Sequence, residues 1–264
     1  MKNLTVLLLI ALVTVTSCAT PKRNVTRSHE LTVLSYNIHH ANPPSKPGFI
    51  DLDAIAKVIQ ESEADIIGLQ EVDVMTNRNG QVHQAKALAD KLGMYYHFFR
   101  AIDHDGGEYG LAILSKLPIK NPQTFRLPQV AKAEERILAM LQVQVGNTWI
   151  YFANTHLDAS RTPENRVVQM QEILKITEKL DAPIVLCGDL NATPDSEPIS
   201  LLDRAFTRTC IEDCAPTIPQ INPRRTIDFI ATRNFPWQQK SIEVIPESYA
   251  SDHLPVKVVF DLKR

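Results

Sequence analysis

Apolar positions along the chain recur in two rhythms that take turns. Leu31-Thr32-Val33-Leu34-Ser35-Tyr36-Asn37 is short and rich in β-branched and aromatic residues, and it predicts a strand. Over 51–62 the spacing changes: Leu52, Ile55, Ala56 and Ile59 fall three and four apart and share one helical face. The run Ile66-Ile67-Gly68-Leu69 predicts a buried strand over 65–71, and a second helix follows near 81–92. Further strands are expected at 109–115, 136–145, 148–155, 183–188, 226–231, 241–246 and 255–260. Thr162-Pro163 offers an N-cap and a first-turn proline for a helix whose stripe is Val167, Met170, Leu174 and Thr177. Only Gly146-Asn147 separates 136–145 from 148–155, a hairpin signal that excludes a purely parallel sheet. Mixed sheets with helices outside them are the expected α/β arrangement, and residues 31–264, free of repeats or linkers, form one domain.

The first residues obey a different pattern. Lys2 precedes an apolar run over 4–15, which as a helix covers about 18 Å of the roughly 30 Å of hydrocarbon in a bilayer. Such a run reads as the core of a signal peptide over 1–17. It ends in Val15-Thr16-Ser17-Cys18, which resembles a bacterial lipobox. That resemblance implies lipidation of Cys18, a tether over 18–30, export, and anchoring in a bacterial membrane. With no Asp after Cys18, it implies the outer membrane in a Gram-negative host. An ordinary cleaved signal peptide, with Cys18 incidental, is the other reading.

Composition changes this picture little. Hydrophobic residues at 44% and charged residues at 22% are those of an ordinary globular protein, which sets aside disorder and a polytopic membrane protein. Formal charge is −2, and −3 once Lys2 is removed with the leader, so electrostatics do not favour a nucleic-acid partner. Cys187, within Ile184-Val185-Leu186-Cys187, reads as an inert core thiol. Cys210 and Cys214 either form a local disulfide, which an exported protein permits, or remain two thiols. No pair of Cys or His completes a zinc site.

Candidate chemistry collects at predicted strand ends, in YNIHH (36–40), QEVD (70–73), NTHLD (154–158), GDLNATP (188–194), TIDFI (226–230) and SDHLP (251–255). Taken singly, each has a bland reading as a turn residue, a cap or a satisfied core histidine. Together they supply carboxylates, amides and imidazoles without a thiolate cluster. Such a set suits a hard cation on oxygen ligands, magnesium or manganese, with histidines for acid–base work. Neither GxxxxGK[ST] nor GxSxG occurs, which removes P-loop and nucleophile-elbow hydrolases.

These words, in this order, resemble the endonuclease/exonuclease/phosphatase superfamily, and the resemblance runs from about 31 to 261. It implies a four-layer sandwich: two mixed sheets face to face, with helices on both outer sides. It implies a metal-dependent hydrolase of phosphodiesters or phosphomonoesters, with a nuclease or a non-catalytic lipid-anchored binding protein as the alternatives. Glu71 is then the principal metal ligand, with Asn37 and Asp252 close to the ion or the scissile phosphate. Asp189 and Asn191 orient water, His253 is the general base with Asp228 behind it, and His156 donates to a phosphoryl oxygen. Arg78 and Arg136 contact phosphate or form surface ion pairs. Tyr109 lies near the substrate, and His39, His40 and Asp158 line the cleft or stay in solvated loops. A monomer is expected, and the lack of a long basic or hydrophobic insertion is compatible with a small phosphate ester as substrate.

Overall fold

A computed structural model describes residues 29–263. The signal peptide, Cys18 and most of the tether lie outside the described residues. One sheet contains β1 (Glu30–Asn37), β2 (Ile66–Val74), β3 (Tyr95–His104), β4 (Gly107–Ser115), β11 (Gln238–Val244) and β12 (Val256–Asp261), in the order β11-β12-β1-β2-β4-β3. The other holds β5 (Ile119–Arg126), β6 (Ile137–Val145), β7 (Thr148–His156), β8 (Ile184–Asp189), β9 (Thr207–Arg208) and β10 (Asp228–Arg233), in the order β5-β6-β7-β8-β10-β9. Pairs β1–β2 and β7–β8 are parallel and the remaining pairs antiparallel, so both sheets are mixed.

Alternation along the strands decides the layering. Val33, Ile66 and Ile113 from one sheet meet Ala139, Phe152 and Ile230 from the other in the inter-sheet core. Leu34, Ile67 and Leu114, one position along, face the opposite way under α1 (Leu52–Ser62) and α2 (Gln84–Leu92). Leu138, Leu186 and Phe229 face α3 (Glu164–Glu178) and α4 (Glu197–Leu202). The result is helix, sheet, sheet, helix, the four layers expected. No helix among the described residues is long and apolar enough to cross a membrane.

Several elements depart from the sequence reading. Strands β3 and β5 stand where none is expected, each at the edge of its sheet. The helix expected near 81–92 begins at Gln84, where His83 caps it by accepting from Lys86 N–H. In α3 the cap is Pro163 rather than Thr162, and the buried face is Asn165, Arg166, Gln169, Met170, Ile173 and Thr177. Val167 and Leu174 pack only at its margin. This face carries buried amides and a guanidinium because it holds loops: Asn165 binds the backbone of Val130 and Ala131, and Arg166 binds the carbonyls of Asp158 and Ser160. Cys210 and Cys214 are joined in a disulfide, and Cys187 is a buried free thiol.

Candidate active site

Strand register assembles the centre of the site. Asp189 ends β8, where it pairs laterally with His156 at the end of parallel β7 and with Asp228 at the start of antiparallel β10. Gly188 makes this alignment possible: a Cβ there would lie 2.0 Å from Thr155 O, and its φ of +153° suits glycine. Across the cleft, Asn37 ends β1 beside Gln70 of β2, and the register shift between Leu69 and Val72 turns Glu71 into the site with φ +57°. Beneath them Asn154 bolts the sheets together. Its Nδ2 donates to Leu69 O and Ala112 O at 2.9 and 3.1 Å, while its Oδ1 accepts from Gln70 Nε2 at 2.7 Å.

Two histidines face one carboxylate oxygen. His156 Nε2 and His253 Nε2 lie 3.4 and 3.6 Å from Asp189 Oδ2. Behind His156 stands Arg136, 8% exposed, with a guanidinium nitrogen 3.1 Å from Nδ1. A guanidinium can only donate, so Nδ1 accepts and the imidazole proton resides on Nε2. Burial first, then the Arg136 charge, holds His156 well below the usual histidine range, and it remains neutral. Behind His253 stands Asp228, whose Oδ2 accepts from Nδ1 at 2.9 Å and from Thr217 Oγ1 at 2.5 Å. Burial alone would lower the His253 pKa, but Asp228 and then Asp189 outweigh it and raise it. Burial and the neighbouring Asp228 raise Asp189 above the usual carboxylate range.

Glu71 occupies the other wall. Its Oε1 accepts from Asn37 Nδ2 at 3.0 Å, and Oε2 lies 3.8 Å from His40 Nδ1. Burial works to raise its pKa, yet the His40 contact and the Asn37 hydrogen bond hold it far below the usual range, so it is a carboxylate. His39, His40 and Ala41 all adopt positive φ, a left-handed turn that L-residues rarely sustain. It brings His40 to Glu71 and His39 within 4.0 Å of Asp252.

Asn37 Nδ2 also donates to Asp189 Oδ2 at 3.1 Å, and its Oδ1 accepts from His39 N–H. The amide nitrogen, not the oxygen, therefore faces the two carboxylates. Asp252 is more open to solvent than its neighbours. Asn191 donates through Nδ2 to Leu157 O and through its backbone to Asp189 Oδ1, which fixes the loop after β8. Asp158 is occupied with Ser160.

Arg136 is not a surface ion pair: it reaches Glu134 at 2.8 Å but is buried against His156, and Tyr109 shares the small space beside them. Arg78 spends two nitrogens on Asp73 at 2.7 and 2.8 Å, with its guanidinium 5.6 Å from the Tyr109 ring centre. Sequence reasoning missed the Arg136–His156 contact and the Thr217 bond to Asp228. Neither had a local signal, since the partners lie 20 and 11 residues apart on different elements.

Glu71, Asp252 and Asp189 provide oxygen donors of the kind a hard divalent cation takes, whereas the Asn37 oxygen is held by His39 N–H. Asp189, Asp228 and His253 also offer ligand atoms within 4.8 Å of one another. There, however, Asp228 Oδ2 and His253 Nδ1 are spent on each other, an arrangement suited to moving a proton.

The model of the Endonuclease/Exonuclease/phosphatase family matches residues 34–253. No curated protein matches the chain. Similar solved structures include an endonuclease/exonuclease/phosphatase from Beutenbergia cavernae (TM-score 0.75, 22% identity, 88% of this chain and 72% of that one). A mannosyl-6-phosphatase from Bacteroides thetaiotaomicron superposes with TM-score 0.71 at 21% identity over 86% and 98% of the two chains. The human Nocturnin catalytic domain with bound sulfate gives 0.68 at 22% identity over 88% and 94%. With every candidate active-site residue from Asn37 to His253 inside the matched span, this chain belongs to the endonuclease/exonuclease/phosphatase family.

Proposed function

We propose that the chain hydrolyses phosphate esters by in-line attack of water at a site that binds magnesium or manganese. The observation that carries this reading is the pair of buried histidines with opposite fixed protons, both facing Asp189. His253, its Nδ1 proton held by Asp228, takes the proton from water on Nε2 once the ring is neutral, above its raised pKa. His156, its proton held on Nε2 by Arg136, donates to a phosphoryl oxygen as charge grows there. Asp189 and Asn191 place the water between them. Glu71 and Asp252 hold the cation, and Asn37 joins them if its oxygen gives up the His39 N–H. When bound, the ion supplies charge neutralisation on the phosphate and assistance to the leaving oxygen.

The acidic balance of the chain and the absence of long insertions favour a small phosphate ester over duplex nucleic acid. A mannosyl-6-phosphatase among the similar structures supports a soluble phosphomonoester as the first substrate class to test. The resemblance of Val15-Thr16-Ser17-Cys18 to a lipobox supports attachment to a bacterial membrane through Cys18. An unmodified N-terminus in the mass spectrum of the cellular protein would end that part of the reading.

The test of the reaction uses p-nitrophenyl phosphate and bis-p-nitrophenyl phosphate with purified protein. Turnover of at least one ester should stop in chelator and return with magnesium or manganese. Equal turnover with verified metal removal would overturn metal dependence. Failure with both esters and with sugar phosphates, by folded, metal-supplied protein, would overturn the hydrolase reading.

A further inference from the structure

The turn that carries His39 and His40 is costly to hold. His39, His40 and Ala41 stand at φ +46°, +44° and +59°, a region that residues with a Cβ disfavour. Hydrogen bonds over-determine it. Ala41 N–H donates to Ile38 O at 2.7 Å, Asn42 N–H to His39 O at 2.8 Å, and Asp51 N–H to Ala41 O at 2.7 Å. Buried Gln84, at the start of α2, donates to His40 O at 2.7 Å and accepts from Asp73 N–H at 2.9 Å. It thereby ties the turn to β2, the strand that carries Glu71.

The two rings on this turn end differently. His39 Nδ1 donates to Asn42 O at 2.8 Å. His40 Nδ1 is buried, has no hydrogen-bond partner among the described residues, and lies 3.8 Å from Glu71 Oε2. That separation is too long for a direct hydrogen bond, which needs about 2.7–3.2 Å. It is too short for a bridging water, whose two hydrogen bonds set their partners about 4.5 Å apart. Two ligand atoms on one ion, with bonds of about 2.1 Å each, stand about 3–4.2 Å apart. Both side chains keep an exposed edge, 16% for His40 and 21% for Glu71, by which an ion can enter.

We infer that His40 is a nitrogen ligand beside Glu71, and that the site therefore takes a first-row transition ion in preference to magnesium. The inference rests on the proposed reading that Glu71 holds the cation. Magnesium keeps oxygen ligands and water, so an imidazole adds little to its affinity. For the transition ions an imidazole adds more, in the order manganese below cobalt below nickel.

Calorimetry and pulsed EPR test this without turnover. Cobalt should bind more tightly than manganese, and both more tightly than magnesium. Manganese-loaded protein should show the nitrogen coupling of a bound imidazole. His40→Asn supplies no imidazole, and asparagine tolerates positive φ. It should abolish that coupling and weaken cobalt binding by about 10–100-fold or more, since even an outer partner commonly carries that much. Magnesium affinity should stay within about threefold, because an oxygen-seeking ion loses little with the ring. His39→Asn should keep the coupling. Should His40→Asn fail to fold, the anomalous signal of cobalt in crystals of the wild type should place the ion within about 2.3 Å of His40 Nδ1. Binding of all three ions without nitrogen coupling, coupling that survives His40→Asn, or cobalt distant from His40 would overturn the ligand and leave the metal reading in place. Binding of none of the three ions would overturn both. A protein that binds cobalt through His40 yet cleaves no ester would support the ligand and count against the hydrolase reading alone.

Discussion

His156 and His253 are one residue type in one cleft, both aimed at Asp189 Oδ2, yet their supports are of opposite charge. Arg136 behind His156 places the proton on Nε2 and makes the ring a neutral donor. Asp228 behind His253 places the proton on Nδ1, leaves Nε2 to accept, and stabilises the imidazolium that results. On the proposed reading, role in this cleft is set by the residue behind each ring. A charge of either sign behind an imidazole decides whether its front nitrogen gives a proton or takes one.

The largest effect expected from breaking this contrast is at the accepting ring. His253→Ala should lower turnover by about 10²–10⁴, the range for a positioned acid or base. Asp228→Asn should also lower it, because an amide can hold the ring in the wrong tautomer and cannot support its charge. The double variant should be little worse than His253→Ala, since an absent ring needs no orienting. A pH profile adds a sign. Asp228 raises the His253 pKa, so removing its charge should move the acid limb of the rate to lower pH, with activity persisting further into acid. Multiplicative losses, or a limb that moves upward, would break the dyad apart.

Much of this contrast is legible in the sequence, and what escapes is instructive. GDLN and SDHL have strand periodicity on one side and turn chemistry on the other, so the pattern alone puts Asp189 and His253 at strand ends. Three of the four edge strands, β3, β5 and β9, are not legible. β3 mixes Tyr95, His97, Arg100 and Asp103 into a half-exposed strand with no clean alternation, and β5 is exposed along nearly its whole length. Pro122 lies where the β5–β6 register shifts, the place a sheet edge tolerates it. Periodicity reports burial, so strands with little burial leave little trace. The same limit explains α3: its spacing predicts an apolar stripe, but the helix buries Asn165, Arg166 and Gln169 because loops need their hydrogen bonds.

A smaller effect should appear behind the donating ring. Arg136→Gln should cost roughly 10–100-fold in turnover, as loss of an outer partner that orients a reacting group commonly does. The substitution keeps an N–H donor but removes the charge, and the glutamine oxygen can also accept from Nδ1–H and reverse the tautomer. Nitrogen chemical shifts of His156 read this directly. Wild type should show the proton on Nε2 and the variant a mixture. An unchanged tautomer with a large loss of activity would mean that Arg136 acts on the substrate itself, the role its residue type suggests.

The smallest effect is expected at Thr217, which shares Asp228 Oδ2 with His253. Thr217→Val is nearly isosteric and removes one of two donors from that oxygen, a loss of about 0.5–1.5 kcal/mol, or roughly 2- to 10-fold. Its direction is informative. If Thr217 serves mainly to aim the carboxylate, turnover falls by that factor while the acid limb of the pH profile stays in place. If it serves mainly to draw charge from Oδ2, its removal concentrates that charge on His253 and moves the acid limb to higher pH, opposite to Asp228→Asn. The Thr217 Oγ1 also accepts from Ile227 N–H, so the backbone entering β10 depends on it. Thermal melting of the variant therefore accompanies the kinetics. A large fall in Tm with a normal profile would place Thr217 among the residues that shape the strand end. An unchanged Tm with a displaced limb would place it among those that tune His253.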